Sequence, residues 1–299
     1  MNCNRIDFSN PLQNRKWLNL LVDDPLSGIR IKPNLDLNVR EMGFSFKSNR
    51  LGLRGPAETS ADTVVFGTSY AMGFGVNVGK NWYDYLNTPF LNLGIPVGPQ
   101  EELNLLNQYY EGNGKKGLYL YHPNFWYLSY LYKCVKDSGK SVFEVGNWKT
   151  KYFDCLKLMI AIFRNRINAQ KQGKIILSSI GGIDYKFQSG YCFHEFDVES
   201  DFANYTMNSL LSIATKFDEF IIIRLPIKEQ LAPISVVNSK LAITRDYYDF
   251  CWDIVRTHLS GCCKIYEPDI FDLKDYLPKD THWGESGNYK FYEYVKQFI

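Results

Sequence analysis

Short runs of consecutive apolar residues recur along this chain, each followed by a turn and then by a helix-patterned stretch, and this alternation constrains the fold more than any other feature. Runs of this kind have no wet face, so each strand must be covered on both sides, as in a parallel sheet flanked by helices. The pattern predicts strands at residues 63–66, 90–93, 117–121, 174–180, 219–224 and 263–266. It predicts helices at 82–86, 101–110, 149–172, 202–216, 239–259 and 287–299. The expected architecture is α/β: a three-layer α/β/α sandwich with a mainly parallel central sheet.

Ahead of that domain, residues 1–56 read as an N-terminal arm or small extended subdomain, with extended pieces at 28–32, 37–40 and 44–47. Residues 57–299 form the main domain, with an insertion around 125–200. Within the insertion, the stretch 181–200 is rich in Gly and aromatics without a clear period and reads as a long loop.

Composition narrows the function classes. The chain is 45% apolar and 16% aromatic over 299 residues, ample for a large buried core. Lys and Arg total 34 against 32 Asp and Glu, a net charge of +2 with no basic block, which argues against nucleic acid as a partner. The longest apolar run, near residues 158–163, is far short of the ~20 residues that span a bilayer, so no membrane span is expected. The opening residues MNCNRIDFSNPLQNRKW lack the basic stretch, apolar core and cleavage site of a secretory signal, which makes a cytoplasmic location the expectation.

Seven cysteines form no CxxC pair and read as reduced, structural thiols. Gly73, Gly75 and Gly79 do not complete a dinucleotide-binding fingerprint, because Val78 stands where its last glycine belongs. No organic cofactor is implied. Asp280, His282 and His122 do not make a metal set of recognisable spacing, so no metal is expected either.

Reacting groups in open α/β sheets gather beyond the carboxyl ends of the strands. Four segments follow the apolar runs there: Gly67-Thr68-Ser69-Tyr70, then Asn92-Leu93-Gly94-Ile95-Pro96-Val97-Gly98, then His122-Pro123-Asn124, and last Asp280-Thr281-His282-Trp283. A serine hydroxyl is a weak nucleophile at neutral pH and needs an imidazole base held in one tautomer by a third group. Ser69, His282 and Asp280 supply those types, and an extended Asp280–His282 segment would place both side chains on one face. The N–H groups of Ser69 and Gly98 and the amide of Asn124 are candidate oxyanion donors, with Gly94 the alternative to Gly98.

These blocks resemble those of the SGNH/GDSL hydrolase superfamily, whose Ser, Gly, Asn and His stand on successive elements in this order. The matches are Ser69, Gly98, Asn124 and His282, and the lead-in Asn49-Arg50-Leu51-Gly52-Leu53-Arg54-Gly55 is similar to one preceding the nucleophile in many bacterial members. The resemblance implies an SGNH, flavodoxin-like sandwich and a serine esterase or acyltransferase. Three details depart from the usual pattern: Thr68 stands in place of Asp, Phe125 follows Asn124, and the acid precedes His282 by two residues rather than three. Gly-Thr-Ser and Asp-Thr-His-Trp resemble motifs of SGNH-like polysaccharide O-acetyltransferases, although there the acid–base block precedes the serine. The resemblance thus implies a small-molecule or polysaccharide acyl ester as substrate, with O-acetylated carbohydrate foremost.

Each residue also has a plainer reading. A serine after a strand often caps a helix, and a lone histidine or aspartate often packs or closes a turn. Tyr70 and Trp283 could stack on a sugar or fill the core, His122 could line the pocket or pack behind it, and Arg54 could bind a carboxylate or brace the N-terminal segment. The alternative function is a catalytically silent glycan-binding module that keeps the fold.

Overall fold

The computed structural model of the chain describes residues 21–24, 28–39, 44–123, 125–126, 128–129, 175–188, 201–278 and 280–299. The predicted helix at 149–172 lies outside these residues. Two antiparallel hairpins come first: β1 (Leu21–Asp24) with β2 (Gly28–Ile31), and β3 (Asp36–Val39) with β4 (Phe44–Lys47). The central sheet follows, built from β5 (Thr63–Gly67), β6 (Leu91–Asn92), β7 (Lys116–Tyr121), β10 (Glu219–Arg224) and β11 (Lys264–Tyr266). Its order is β11-β10-β7-β5-β6, and every pairing in it is parallel.

The residue pattern explains the three layers. Along β5, β7 and β10, one set of side chains (Val64, Phe66, Tyr119, Tyr121, Phe220, Ile222) enters one core and the alternating set (Val65, Leu118, Leu120, Ile221, Ile223) enters another. The first core is closed by α1 (Pro99–Tyr109), α2 (Asp201–Ala214) and α3 (Ser239–Leu259), through Leu105, Leu106, Leu210, Ile213, Trp252 and Val255. The second is closed by the 3-10 turn Trp82–Tyr85 and by α4 (Glu285–Val295), through Trp82, Phe291 and Val295. Ile31, Phe44 and Phe46 from the N-terminal hairpins are buried in the first core.

The strand predicted at 174–180 exists as β8 (Ile175–Ile180), but it is not part of the central sheet. It pairs antiparallel with β9 (Ile183–Gln188), inside the stretch read as a long loop. Gly181 and Gly182 supply the two-residue turn, with φ of 58° and 78° that L side chains avoid. The hairpin has its own small core, in which Tyr185 and Phe187 meet Ala232 and Leu241. Among the described residues no helix is long and apolar enough to cross a membrane.

Sheet order reverses beside β5: β6 lies on one side of it and β7 on the other. In a parallel sheet such a switch point opens a crevice at the carboxyl ends of the strands. The segments after β5, β6 and β7 converge there.

Candidate active site

β5 ends at Gly67 with φ of 123°, and a Cβ there would stand 2.6 Å from the Leu120 carbonyl oxygen. Glycine is what allows β5 to turn this close to β7. The next residues wind tightly: Met72 N–H bonds Thr68 O at 3.2 Å, Gly73 N–H bonds Tyr70 O at 3.0 Å and Phe74 N–H bonds Ser69 O at 2.9 Å. Ser69 is partly exposed at the head of this turn, whereas Thr68 and Tyr70 are buried.

Three side chains hold the turn from behind. Glu102 of α1 accepts Gly67 N–H at 3.0 Å, Asn92 Nδ2 donates to Ala71 O at 2.9 Å, and the Tyr83 hydroxyl donates to Met72 O at 3.1 Å. Burial pushes the Glu102 carboxyl up to about 8, against the opposing pull of the Tyr119 hydroxyl and Gly67 N–H, so it is mostly protonated at neutral pH. Arg54, 1% exposed, donates to the carbonyls of Gly73, Val76 (2.8 Å) and Ser45 (3.2 Å), its guanidinium 4.8 Å from the Phe46 ring centroid. Of the two roles open to it from sequence, the structure shows the bracing one: it ties the β3–β4 hairpin to the turn after Ser69.

The facing wall is the loop 277–282, closed by an antiparallel bridge between Tyr276 and Trp283 and by Leu277 N–H to His282 O at 2.8 Å. Asp280 and His282 do not lie on an extended segment, the geometry that would have placed both side chains on one face. They form a bend in which Asp280 Oδ1 accepts both the His282 backbone N–H, at 2.9 Å, and the ring Nδ1–H. Asp side chains favour such turns because they reach backbone N–H groups two residues on. With the proton on Nδ1, Nε2 is an acceptor, and the Ser69 hydroxyl lies 2.6 Å from it.

Electrostatics suit this arrangement. Burial acts to raise the Asp280 carboxyl, but the adjoining His282, through its charge and both hydrogen bonds, and then Lys228, bring it below the ordinary carboxylate value. Phe74 and Tyr70 flank the His282 ring at 4.8 and 5.1 Å.

The other expected residues fall as follows. Gly98 immediately precedes α1, and no described residue accepts its N–H; the same is true of Ser69 N–H. Gly94 N–H is already committed to Asn92 Oδ1 at 2.9 Å, which leaves Gly98 as the glycine with a donor to offer. Asn124 lies outside the described residues; the flanking turn, Phe125 N–H to His122 O at 2.9 Å, follows directly on β7.

Tyr70, Trp283 and His122 do not present faces to a substrate. Tyr70 is 2% exposed, stacks on His122 at 4.5 Å, and donates its hydroxyl to Thr281 O. Trp283 is equally buried, stacked on Phe271 at 4.7 Å and packed against Phe291 at 5.0 Å. His122 is buried against Tyr70, and burial, reinforced by the charge of His282, depresses its imidazole to about 3, so it stays neutral. The sugar-stacking reading of Tyr70 and Trp283 therefore has no exposed ring to act through; they support the Ser69–His282 pair from within the core.

Two residues of this region escaped the sequence reading, Glu102 and Lys228. Lys228 follows the apolar strand β10, so asking what stands beyond every strand end would have reached it. Among the described residues no group of three or more His, Cys, Asp or Glu could hold a metal ion. No protein-family model matches the chain, and no curated protein matches it. The site itself joins the hydroxyl of a partly exposed serine, an imidazole nitrogen placed to accept its proton and a carboxylate that orients the imidazole.

Proposed function

We propose that this chain is a serine-dependent acyl-ester hydrolase or acyltransferase of the SGNH/GDSL type, with Ser69 as nucleophile, His282 as base and Asp280 as its orienting acid. The observation that carries this reading is the continuous relay from Ser69 Oγ to His282 Nε2, at 2.6 Å, and from His282 Nδ1 to Asp280 Oδ1. Ser69 Oγ attacks an ester carbonyl as its proton passes to Nε2, and the oxyanion is met by the N–H groups of Ser69 and Gly98 and the Asn124 amide. Collapse expels the alcohol, which takes the proton from His282, and leaves an acyl-enzyme. Water or an acceptor hydroxyl then takes the acyl group by the same route reversed.

The order Ser, Gly, Asn, His and the Gly-Thr-Ser and Asp-Thr-His-Trp details support an acetyl ester of a carbohydrate, as an O-acetyl esterase or O-acetyltransferase. A silent glycan-binding module would have no use for the aligned relay, and the geometry favours the enzyme. The test is turnover of an activated acetyl ester with candidate sugars present. Free acetate marks hydrolysis and acetylated sugar marks transfer; activity that survives Ser69→Ala would overturn the assignment.

A further inference from the structure

Lys228 stands just beyond the end of β10 with its side chain almost wholly buried. Its Nζ donates to three backbone carbonyls of one loop: Asp280 O at 2.7 Å, Pro278 O at 3.2 Å and Leu277 O at 3.3 Å. An ammonium has three protons and no acceptor, so the three carbonyls match its donors in number. The ammonium lies 5.9 Å from the Phe187 ring of β9, and the neighbouring Lys186 N–H bonds Pro278 O at 2.8 Å. The β8–β9 hairpin and the segment after β10 thus grip the same stretch of chain, the one that carries Asp280 and His282. Tyr276, at the base of that loop, donates its hydroxyl to Pro226 O from the same segment.

We propose that Lys228 is a positioning residue for the Ser69–His282–Asp280 relay: its ammonium, by bonding the Leu277, Pro278 and Asp280 carbonyls, fixes the loop that aims His282 at Ser69. The inference rests on the serine-enzyme reading and adds a condition to it, that the relay is aligned only while Lys228 carries its proton.

The groups facing Lys228 define when that holds. Glu229 beside it and Asp280 in the loop favour the charged form; Lys186 on β9 opposes it; burial opposes it most and brings the ammonium down to about 8. Above that pH the amine has lost its charge and one donor. Folding does not suffer from this loss. An unfolded lysine keeps its proton to its ordinary value of 10.5, so between about 8 and 10.5 the unfolded chain binds more protons and this group's contribution to stability rises with pH. Loss of activity without loss of stability separates a positioning role from a merely structural one.

The experiment follows phosphonylation of Ser69 by a fluorophosphonate in the full chain from about pH 6 to pH 10, with the thermal midpoint recorded at each pH. In this reaction the Ser69 Oγ–P bond forms, the P–F bond breaks, fluoride leaves, and the serine proton passes to His282. The wild-type rate should fall as pH rises through about 8 while the chain remains folded. Lys228→Arg, whose guanidinium stays charged, should label at pH 10 without that fall. Lys228→Met should label on the order of 100-fold more slowly at pH 7, the scale of a misplacement of about 1 Å. A wild-type rate that stays level or climbs to pH 10, a fall in Lys228→Arg at the wild-type position, or Lys228→Met labelling at the wild-type rate would each overturn the inference alone. The wild-type profile needs no variant to fold. A wild-type chain that takes up no probe at any pH overturns the serine-enzyme reading and this inference with it.

Discussion

Asp280 Oδ1 accepts two hydrogen bonds from the same residue, one from the His282 backbone N–H and one from its ring Nδ1. A single carboxylate oxygen thereby fixes both the backbone bend and the tautomer of the imidazole it serves. The two-residue spacing that departs from the usual acid–base block is what makes this possible, because an aspartate reaches the N–H two residues on.

Replacing Asp280 by Asn tests that coupling. The amide oxygen can still accept one bond, but the charge that stabilises an imidazolium is gone and the competing N–H₂ favours the wrong tautomer. On the proposed mechanism, turnover of p-nitrophenyl acetate by Asp280→Asn should fall on the order of 10⁴-fold, the effect of this change in known serine triads. A loss of less than about tenfold, within the reach of small changes in packing, would count against Asp280.

Glu102 makes a prediction of the opposite kind, about stability. Its carboxyl is raised to about 8, so the folded chain holds a proton that the unfolded chain gives up near 4.5. The stability this supplies is complete below 4.5 and disappears as pH rises through 8. Glu102→Gln keeps an oxygen for Gly67 N–H without the proton dependence. Its thermal midpoint should exceed that of the wild type at about pH 9 and match it near pH 5.

His122 works on the acid side. Its imidazole is depressed to about 3 from 6.5, so the unfolded chain binds the extra proton between those values and stability declines as pH falls across the window. In His122→Gln the thermal midpoint should fall less between about pH 6.5 and pH 4 than in the wild type. An unchanged slope would show that His122 is not the group responsible.

Arg54 links two parts of the chain that sequence treats separately. Arg54→Met would leave the carbonyls of Gly73, Val76 and Ser45 without their donor, at a cost on the order of 3 kcal/mol in urea unfolding. Because Phe74 and Gly75 pack against His282, Ser69 labelling should slow in the same variant.

The layers were legible from sequence because the core strands are fully apolar and the helices between them are periodic; helix 239–259 was read to the residue. That Ser69, Asp280 and His282 would meet was legible from their residue types and chain order, Ser69 also from its place just after β5. The run at 174–180 misled, since an apolar strand in a small satellite hairpin looks the same as one in a central sheet until its partner is known. Tyr70 and Trp283 were ambiguous for a related reason: in sequence, a ring beside a candidate site residue looks the same whether it faces solvent or core. Lys228 was missed because its partners are backbone carbonyls, which every residue carries, so only its place beyond the end of β10 marks it.

In the proposed mechanism Ser69 forms a covalent acyl intermediate with His282 as its base. Intact-mass measurement after a brief exposure to an activated acetyl ester, with the adduct located by peptide mapping, tests it most directly. The wild type should carry one acetyl group on Ser69, Ser69→Ala none at that position, and His282→Ala should acquire it far more slowly. An adduct of equal extent on the Ser69→Ala chain, or one carried by a different residue in the wild type, would contradict it.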